Sequence, residues 1–196
     1  MDMRADASLD AASDEALLAR YGAGEPAAAR ALAARLVPRL IAVAARMLGG
    51  DRAEAEDVAQ ETMLRLWRMA PGWQTGRARV STWAYRVTVN LATDRLRRRR
   101  GVALDAAPEP EDGAPEAWER MAEAERLRAL DAALAGLPER QRQAVVLRHI
   151  EGLSNPEIAE ILDLGVEAVE SLTARGKRSL AEALAGKREE LGYGTG

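Results

Sequence analysis

The segment at residues 101–115 most strongly limits how this chain of 196 residues can fold, because it separates two stretches of helical sequence. It is rich in acidic residues and alanines and contains the helix breakers Pro108, Pro110, Gly113 and Pro115. Such a composition is typical of linkers. The sequence therefore predicts two small folded units joined by a flexible acidic linker and followed by a flexible tail. The first unit, the linker, the second unit and the tail are predicted at residues 10–100, 101–124, 125–188 and 189–196.

Charge is distributed unevenly along the chain, although the net charge is only −3. Residues 1–100 contain 17 Arg and 12 acidic residues, a net charge of +5, whereas residues 101–125 contain one Arg and eight acidic residues. The remaining residues have 10 basic and 11 acidic side chains. A basic N-terminal unit favours binding to nucleic acid. The acidic middle is compatible with a segment that imitates nucleic acid and with a plain solubilising spacer.

The spacing of apolar residues predicts helices in both units, and hence an all-α fold. Apolar side chains recur every three or four residues, as in Leu32, Leu36, Leu40 and Met47, and no alternating strand pattern occurs. Aromatic residues make up only 4% of the chain, which leaves little material for strands. Ser81 is expected to cap a helix that runs to about residue 100. Other helices are expected at residues 52–69, 118–134, 139–150, 155–162 and 166–185.

Several classes of function are disfavoured by residues that the sequence lacks. Cysteine is absent, and the single His149 cannot anchor a usual zinc site by itself. We therefore expect no metal, no cofactor and no catalytic residue. The acidic, polar N-terminus does not resemble a signal peptide, and the apolar stretch at 36–48 is interrupted by Pro38, Arg39 and Arg46. These features predict a cytoplasmic protein without membrane insertion.

A helix-turn-helix pattern lies near the C-terminus. The sequence Ser-Asn-Pro-Glu at residues 154–157 is a capping box that begins a short helix, and a turn at residues 163–165 leads to a longer amphipathic helix. That second helix can enter the DNA major groove with its polar face. The polar face is predicted to contain Glu167, Glu170, Ser171, Thr173, Arg175, Lys177 and Arg178. On spacing alone, a plain helical hairpin in a bundle is equally compatible with the pattern.

A second candidate surface lies on the helix predicted at residues 52–69. Asp57 and Glu61 are four residues apart and therefore fall on one helix face. By itself the pair suits a solvated charged face. An acid/base enzyme is disfavoured because no histidine, cysteine or nucleophile motif accompanies the two carboxylates.

The helix that follows carries aromatic, amide and basic side chains together. The expected core stripe consists of Trp83, Val87, Leu91 and Leu96. The expected exposed side chains are Arg86, Asn90 and Arg97. This combination suits single-stranded DNA, in which bases stack and phosphates need neutralising. The alternative is that the aromatic residues belong to the core and the arginines form a solvated helix end.

The amino-acid sequences of these segments resemble those of the extracytoplasmic-function (ECF) sigma factors of bacteria, which direct RNA polymerase to promoters. The resemblance to region four of that family is carried by LPERQR at 137–142, VLR at 146–148, EGLS at 151–154 and EIAEIL at 157–162. The resemblance to region two is carried by AEDVAQETMLRLW at 55–67 and STWAYRVTVNLATDRLRRRR at 81–100. The matches occur in the family's order, with a linker between them.

The resemblance implies roles for the candidate residues. Contacts with the clamp coiled coil of the polymerase's largest subunit are implied for Asp57, Gln60, Glu61 and Leu64. Recognition of the minus-10 promoter element is implied for Trp83, Tyr85, Arg86, Asn90, Arg97 and Arg98. The loop at residues 72–80, with Trp73, Arg77 and Arg79, is implied to help receive a base flipped from the melted strand. The polar face of the second helix of the helix-turn-helix is implied to contact the minus-35 element.

The function that the resemblance implies is promoter recognition, strand opening and transcription initiation by a sigma factor under the control of an anti-sigma factor. The implied partners are core polymerase, through its clamp and flap, and promoter DNA. A stand-alone helix-turn-helix regulator is the alternative. The family usually has a basic residue early in its recognition helix, where this chain has Glu170. Because a carboxylate can accept a hydrogen bond from cytosine N4, we predict that Glu170 lies over a base edge.

Overall fold

A computed structural model of the protein describes residues 9–73, 76, 79–102 and 118–190, and these residues form helices without strands. The N-terminal unit contains α1 (Asp14–Gly22), α2 (Pro26–Met47), α3 (Arg52–Met69), a 3₁₀ turn (Ala70–Gly72) and α4 (Val80–Val102). The C-terminal unit contains α5 (Trp118–Ala135), α6 (Glu139–Val145), a π-helical turn (Val146–Ile150), α7 (Asn155–Leu162) and α8 (Val166–Glu190). The predicted all-α fold is confirmed. Most of the predicted linker and the last six residues lie outside the described residues.

Helix α2 forms the centre of the N-terminal unit, where α1, α3 and α4 all pack against it. Its side chains at helical spacing, Leu32, Leu36, Leu40 and Met47, are buried as predicted. Burial of each such side chain stabilises the fold by about 1.5–3 kcal/mol. No helix among the described residues combines the length and the apolar character that crossing a membrane requires.

The beginnings of the N-terminal helices are capped in two different ways. Ser13 Oγ accepts a hydrogen bond from the Ala16 N–H (3.2 Å) at α1, and Asp51 caps α3 in the same local manner. The prediction that Ser81 caps α4 is wrong, because this helix begins one residue earlier, at Val80. There a tertiary partner acts instead: Glu15 Oε1, from α1, accepts a hydrogen bond from the Val80 N–H (3.0 Å).

The buried face of α4 is rotated from the predicted stripe. Tyr85, Thr88, Val89 and Ala92 are buried, as is Ala84. The expected stripe is only partly buried, and it consists of Trp83, Val87, Leu91 and Leu96. The difference arises because α4 contacts several elements, including α2 and α3 on one side and α7 of the C-terminal unit on another. A pattern that assumes one buried stripe cannot anticipate this.

The C-terminal unit contains the predicted helix-turn-helix, formed by α7 and α8. The capping box is present: Glu157 Oε2 accepts from the Ser154 N–H (2.9 Å), and Ser154 Oγ accepts from the Glu157 N–H. The turn between the helices contains Asp163 in the left-handed conformation (φ 54°). The helix expected at residues 139–150 is α-helical only to Val145 and then widens into the π-helical turn.

The two units pack directly against each other, which the sequence did not predict. Helix α7 contacts α4, while α5 and the π-helical turn contact α2. Arg142, which is buried, donates hydrogen bonds to Met47 O (2.9 Å) in the N-terminal unit and to Ala135 O (2.8 Å) in its own unit. Gln143 Nε2 donates to Thr93 Oγ1 on α4 (3.1 Å). Buried polar groups of the two units therefore satisfy one another.

The capping of α4 by Glu15 gives a testable prediction. Burial would raise the pKa of Glu15, but hydrogen bonds from the Val80 N–H and its own backbone N–H outweigh burial and lower it. Glu15→Ala should reduce the free energy of unfolding at pH 7 by about 1 kcal/mol, as for a lost N-cap. Because the folded-state pKa lies below the unfolded one, the charge-dependent part of this contribution should disappear as the pH falls through the folded-state value.

Urea unfolding of the wild-type chain and of Glu15→Ala, at pH 7 and at pH 3, measures the change in the free energy of unfolding. Glu56→Ala is the matched control, since Glu56 is exposed and its ion pair within the described part of the chain is with Arg52 on its own helix. An equal loss of stability in both variants at pH 7 would contradict the capping role.

Candidate nucleic-acid and polymerase interface

The four candidate polymerase contacts lie on α3, and we call their side chains the clamp face: Asp57, Gln60, Glu61 and Leu64. The side chain of Asp57 is 66% exposed, and Leu64 is 42% exposed although it is apolar. An exposed leucine between exposed polar residues is typical of a contact surface rather than of a core. Leu66, two residues further along the helix, is buried instead.

Each acid of the clamp face lies close to a neighbouring arginine. Glu61 Oε1 accepts a hydrogen bond from Arg65 Nε (2.8 Å), and this bond lowers the pKa of Glu61. Asp57 lies 3.9 Å from Arg95 of α4. Both carboxylates remain accessible, because exposed ion pairs of this kind are weak and exchange readily with other partners.

The candidate residues for the minus-10 element lie on α4, and we call their side chains the minus-10 surface: Trp83, Tyr85, Arg86, Asn90, Arg97 and Arg98. Asn90 and Arg98 are exposed, whereas Trp83 is half-buried. The other three residues contact the C-terminal unit. Tyr85 donates to Glu151, Arg86 donates to the carbonyl oxygen of Glu160, and Arg97 donates to Glu139.

The loop before α4 is described only in part. Trp73 is half-buried, and its indole Nε1, which is buried, has no hydrogen-bond partner among the described residues. Arg79 Nη1 donates to Glu157 Oε1 of α7 (3.0 Å). Arg77 and residues 74, 75 and 78 lie outside the described residues.

Helix α8 presents most of its predicted polar face to solvent. Six of the seven residues are exposed: Glu167, Glu170, Ser171, Arg175, Lys177 and Arg178. Thr173 was predicted on the same face, but it is partly buried and its Oγ1 is shielded from solvent, so its predicted exposure is wrong. It lies between the exposed stripe and the side of α8 that packs on α6, an intermediate position that spacing alone does not resolve. Glu170 Oε1 accepts a hydrogen bond from Asn155 Nδ2 (3.3 Å) at the start of α7.

Close contact between α6 and α8 fixes the orientation of the recognition helix. Gly176 is buried on the side of α8 opposite the exposed face. A Cβ atom at this position would lie 2.6 Å from Val145 Cγ2 and 3.2 Å from the carbonyl oxygen of Gln141. Glycine is therefore required by the distance between the helices, although it lowers helix propensity. Sequence reasoning had assigned no role to this glycine.

Glu151, a further residue that sequence reasoning missed, lies at the junction of the two units. Its Oε2 accepts hydrogen bonds from Tyr85 OH (2.6 Å) and Arg39 Nε (3.0 Å), and its side chain is only 6% exposed. Burial and the adjacent carboxylate raise the pKa of Tyr85, so the phenol keeps its proton and remains a donor. The Arg39 guanidinium carbon also lies 5.5 Å from the centre of the Tyr85 ring. No local sequence signal links these three residues, since their contact depends on the packing of the two units.

The arrangement offers three exposed surfaces that suit macromolecular partners. Within the described residues there is no group of three or more His, Asp or Glu side chains that could hold a metal ion. The acidic face of α3, the aromatic and basic surface of α4 and the mixed polar face of α8 are what the geometry provides. A helix-turn-helix with an exposed second helix has the shape that enters the major groove.

Comparison with known proteins identifies the family. The sequence matches Sigma-70 region 2 over residues 32–102 and Sigma-70, region 4, over residues 127–180. It is 37% identical over 172 residues to the ECF RNA polymerase sigma factor SigM of Mycobacterium tuberculosis, with 88% of this chain and 85% of SigM covered. The chain therefore belongs to the ECF RNA polymerase sigma factors, a family of transcription initiation factors.

Other similar proteins differ in how much of their length is covered. The chain is 39% identical over 142 residues to the ECF sigma factor SigE of Mycolicibacterium smegmatis, and the match covers 70% of this chain but only about half (54%) of SigE. Among solved structures, CnrH in complex with the cytosolic domain of CnrY has a TM-score of 0.67 and 28% identity, with 88% of this chain and 97% of that chain covered. CnrH is a sigma factor of Cupriavidus metallidurans.

The contact at Gly176 gives a second prediction. Gly176→Ala should lower the free energy of unfolding by about 1–2 kcal/mol, because the clash with Val145 exceeds the gain in helix propensity of about 1 kcal/mol. Thermal unfolding measures the change. The double variant Gly176→Ala/Val145→Ala removes the obstructing methyl groups and should show a smaller penalty than the sum of the two single substitutions. Additive penalties would mean that the close contact does not constrain α8.

Proposed function

We propose that this chain binds core RNA polymerase through the clamp face and directs it to promoters through α4 and α8. The observation that carries the proposal is the presence, in one chain, of an exposed acidic face on α3 and an exposed recognition helix on α8. A stand-alone helix-turn-helix regulator requires only the second of these. A clamp contact explains why Leu64 is exposed next to Asp57, since apolar and charged groups together form a protein interface.

At the polymerase, the acids of the clamp face pair with arginines of the clamp coiled coil, and Leu64 supplies the apolar contact. Arg65, which holds Glu61 in the free chain, is exposed and can release it at little cost. The electrostatic part of this contact favours rapid association and the correct orientation of the two partners.

At the promoter, the minus-10 surface takes up the non-template strand after melting. Arg97 and Arg98 neutralise phosphates, while Asn90 and the preceding loop receive an extruded base. Helix α8 reads the minus-35 element: its first turns, with Glu167, Glu170 and Ser171, face base edges, and Arg175, Lys177 and Arg178 lie near phosphates.

An anti-sigma factor is proposed as a further partner. Support comes from CnrH, whose similarity covers 88% of this chain. The solved structure of CnrH is a complex with the cytosolic domain of CnrY. We also propose that the protein acts in the cytoplasm, where the polymerase and the promoters are found, and that it has no enzymatic activity of its own. Residues 103–117, which belong to the predicted linker and lie outside the described residues, are proposed to allow α4 and α8 to reach separate promoter elements.

The clamp contact is tested by reversing its charges. Asp57→Arg/Glu61→Arg should weaken binding to bacterial core polymerase by about a hundredfold, because each acid would be replaced by a charge that repels the clamp arginines. Fluorescence anisotropy of the labelled chain titrated with core polymerase measures the affinity. Multi-round transcription from a promoter mapped by transcript sequencing measures the consequence.

Glu56→Arg is the control, because it makes the same charge change on the same helix. Glu56 is directed about 100° away from Asp57 around the helix axis, and it is exposed. Core binding that survives the double reversal, or that is lost equally in the control, would contradict the assignment of the polymerase contact to Asp57 and Glu61.

Readout by Glu170 is tested separately. Glu170→Lys should change the preferred base at one position of the minus-35 element by about tenfold, because a carboxylate accepts from cytosine whereas lysine donates to guanine. The measurement is selection by reconstituted polymerase from promoters with a randomised minus-35 element. Glu182→Lys, exposed further along α8, is the control for the added charge. A uniform gain in affinity for all sequences would show that Glu170 faces phosphates instead.

A further inference from the structure

Helix α1 contacts both ends of the loop at residues 72–80. At the end of the loop, Glu15 Oε1 accepts a hydrogen bond from the N–H of Val80 (3.0 Å), the residue at which α4 begins. At the start of the loop, α1 packs against the 3₁₀ turn Ala70–Gly72. One short helix therefore lies against the two points at which the loop joins the rest of the N-terminal unit.

The contact at the start of the loop is close. A Cβ atom on Gly22, the last residue of α1, would lie 3.0 Å from the carbonyl oxygen of Ala70 and 3.6 Å from Cα of Pro71. One residue earlier in α1, the ring of Tyr21 lies 4.7 Å from the ring of Trp67, and the two rings are tilted by 59°. Aromatic rings in this geometry attract each other beyond the effect of buried area. The glycine lets α1 approach the turn, and the ring contact joins α1 to α3.

Helix α1 is itself fixed to the centre of the N-terminal unit. Leu17 and Leu18 are completely buried. The guanidinium group of Arg35, on α2, donates hydrogen bonds to three carbonyl oxygens of the segment at residues 9–12, directly before α1 (2.6–2.9 Å). Hydrogen bonds from a charged donor are stronger than those between neutral groups. The position of α1 is therefore set by α2, independently of the loop.

The length of α1 then sets the separation between the two ends of the loop. Glu15 and Gly22 are seven residues apart, which corresponds to about 10 Å along a helix axis. A loop whose ends are held at a fixed separation has fewer conformations than a free segment. It therefore loses less conformational entropy when it binds a ligand. The ligand proposed for this loop is a base extruded from the melted strand.

We propose that α1 is a brace that positions the loop at residues 72–80 for base capture, with Glu15 and Gly22 as positioning residues. The proposal rests on the proposed function, since it takes this loop and Asn90 as the site of the extruded base. Both positioning residues act through the backbone at the ends of the loop and not by touching DNA. Helix α1 precedes residues 32–102, which match Sigma-70 region 2, so the brace lies outside the matched segment. It increases the preference for a strand that carries the base and leaves the affinity for phosphates unchanged.

The test compares two single strands bound by the complex of core polymerase with the full-length chain. One is the non-template minus-10 strand of the mapped promoter, and the other has an abasic sugar in place of the extruded base. A scan of abasic positions with the wild-type chain identifies the position at which the base is captured. Fluorescence anisotropy should show that the wild-type complex binds the intact strand about tenfold more tightly, within the range that stacking of one base on a protein provides.

Two substitutions act at opposite ends of α1. Glu15→Ala releases the end of the loop, and Gly22→Ala displaces its start, because the added methyl group meets the carbonyl oxygen of Ala70. Each substitution should reduce the preference for the intact strand to about threefold, because the loop must then be ordered when the base binds. The affinity for the abasic strand should stay the same. Glu15→Gln keeps an oxygen that can accept from the Val80 N–H and should retain most of the preference.

Asp51→Ala is the matched control, because it removes an N-cap of the same kind at the beginning of α3. Asp51 Oδ1 accepts a hydrogen bond from the Glu54 N–H over the same distance of 3.0 Å, and neither end of the loop takes part. This variant should lose stability as Glu15→Ala does, yet keep the wild-type preference for the intact strand. A reduced preference in the control would show that lost stability is the cause, and the brace would be wrong.

The outcomes separate the brace from the proposed function. A preference that survives both Glu15→Ala and Gly22→Ala would overturn the brace and leave base capture by the loop intact. Equally weakened binding of the intact and the abasic strand would also overturn the brace, because the substitutions would then act on general affinity. A wild-type complex that binds every abasic strand as tightly as the intact one would overturn base capture itself, and the brace with it.

Discussion

The relative position of the two units depends on buried polar contacts between them, and the carboxylate of Glu151 makes two of these contacts. A charge removed from water is tolerated only when it is paired and hydrogen-bonded, and Glu151 obtains both from Arg39 and Tyr85 of the other unit. Its two donors come from α2 and α4, so one carboxylate positions the π-helical turn against both helices. By comparison, an exposed ion pair such as Arg79–Glu157 contributes about 0.2–1 kcal/mol.

Features set by neighbouring residues were predictable from the sequence, whereas features set by distant partners were not. The buried leucines of α2 and the capping box of Ser154 and Glu157 follow from spacing and local hydrogen bonding, and both are confirmed. The cap of α4 was not predictable in this way, since Glu15 is 65 residues away from Val80. For the same reason the buried face of α4 was misplaced: a second unit packs on it, and periodicity cannot anticipate a contact that forms between units.

The same distinction between neighbouring and distant partners applies to the residues of the candidate site. Spacing predicts that Asp57 and Glu61 share one face of a helix whatever surrounds it, whereas Gln60 and Leu64 were added only by the resemblance to region two. Thr173 was misassigned because it borders the packed side of α8, where a small rotation decides exposure. Gly176 and Glu151 carried no recognisable local pattern; the first is explained by the distance between α6 and α8, and the second by the junction of the units.

The contacts between the units show where part of the uneven charge along the chain is neutralised. A basic N-terminal unit suits DNA, but free arginines also repel one another and attract any polyanion. In the structure Arg39, Arg46, Arg79 and Arg97 are each neutralised by an acid of the C-terminal unit, which explains how a near-neutral unit can pack on a basic one.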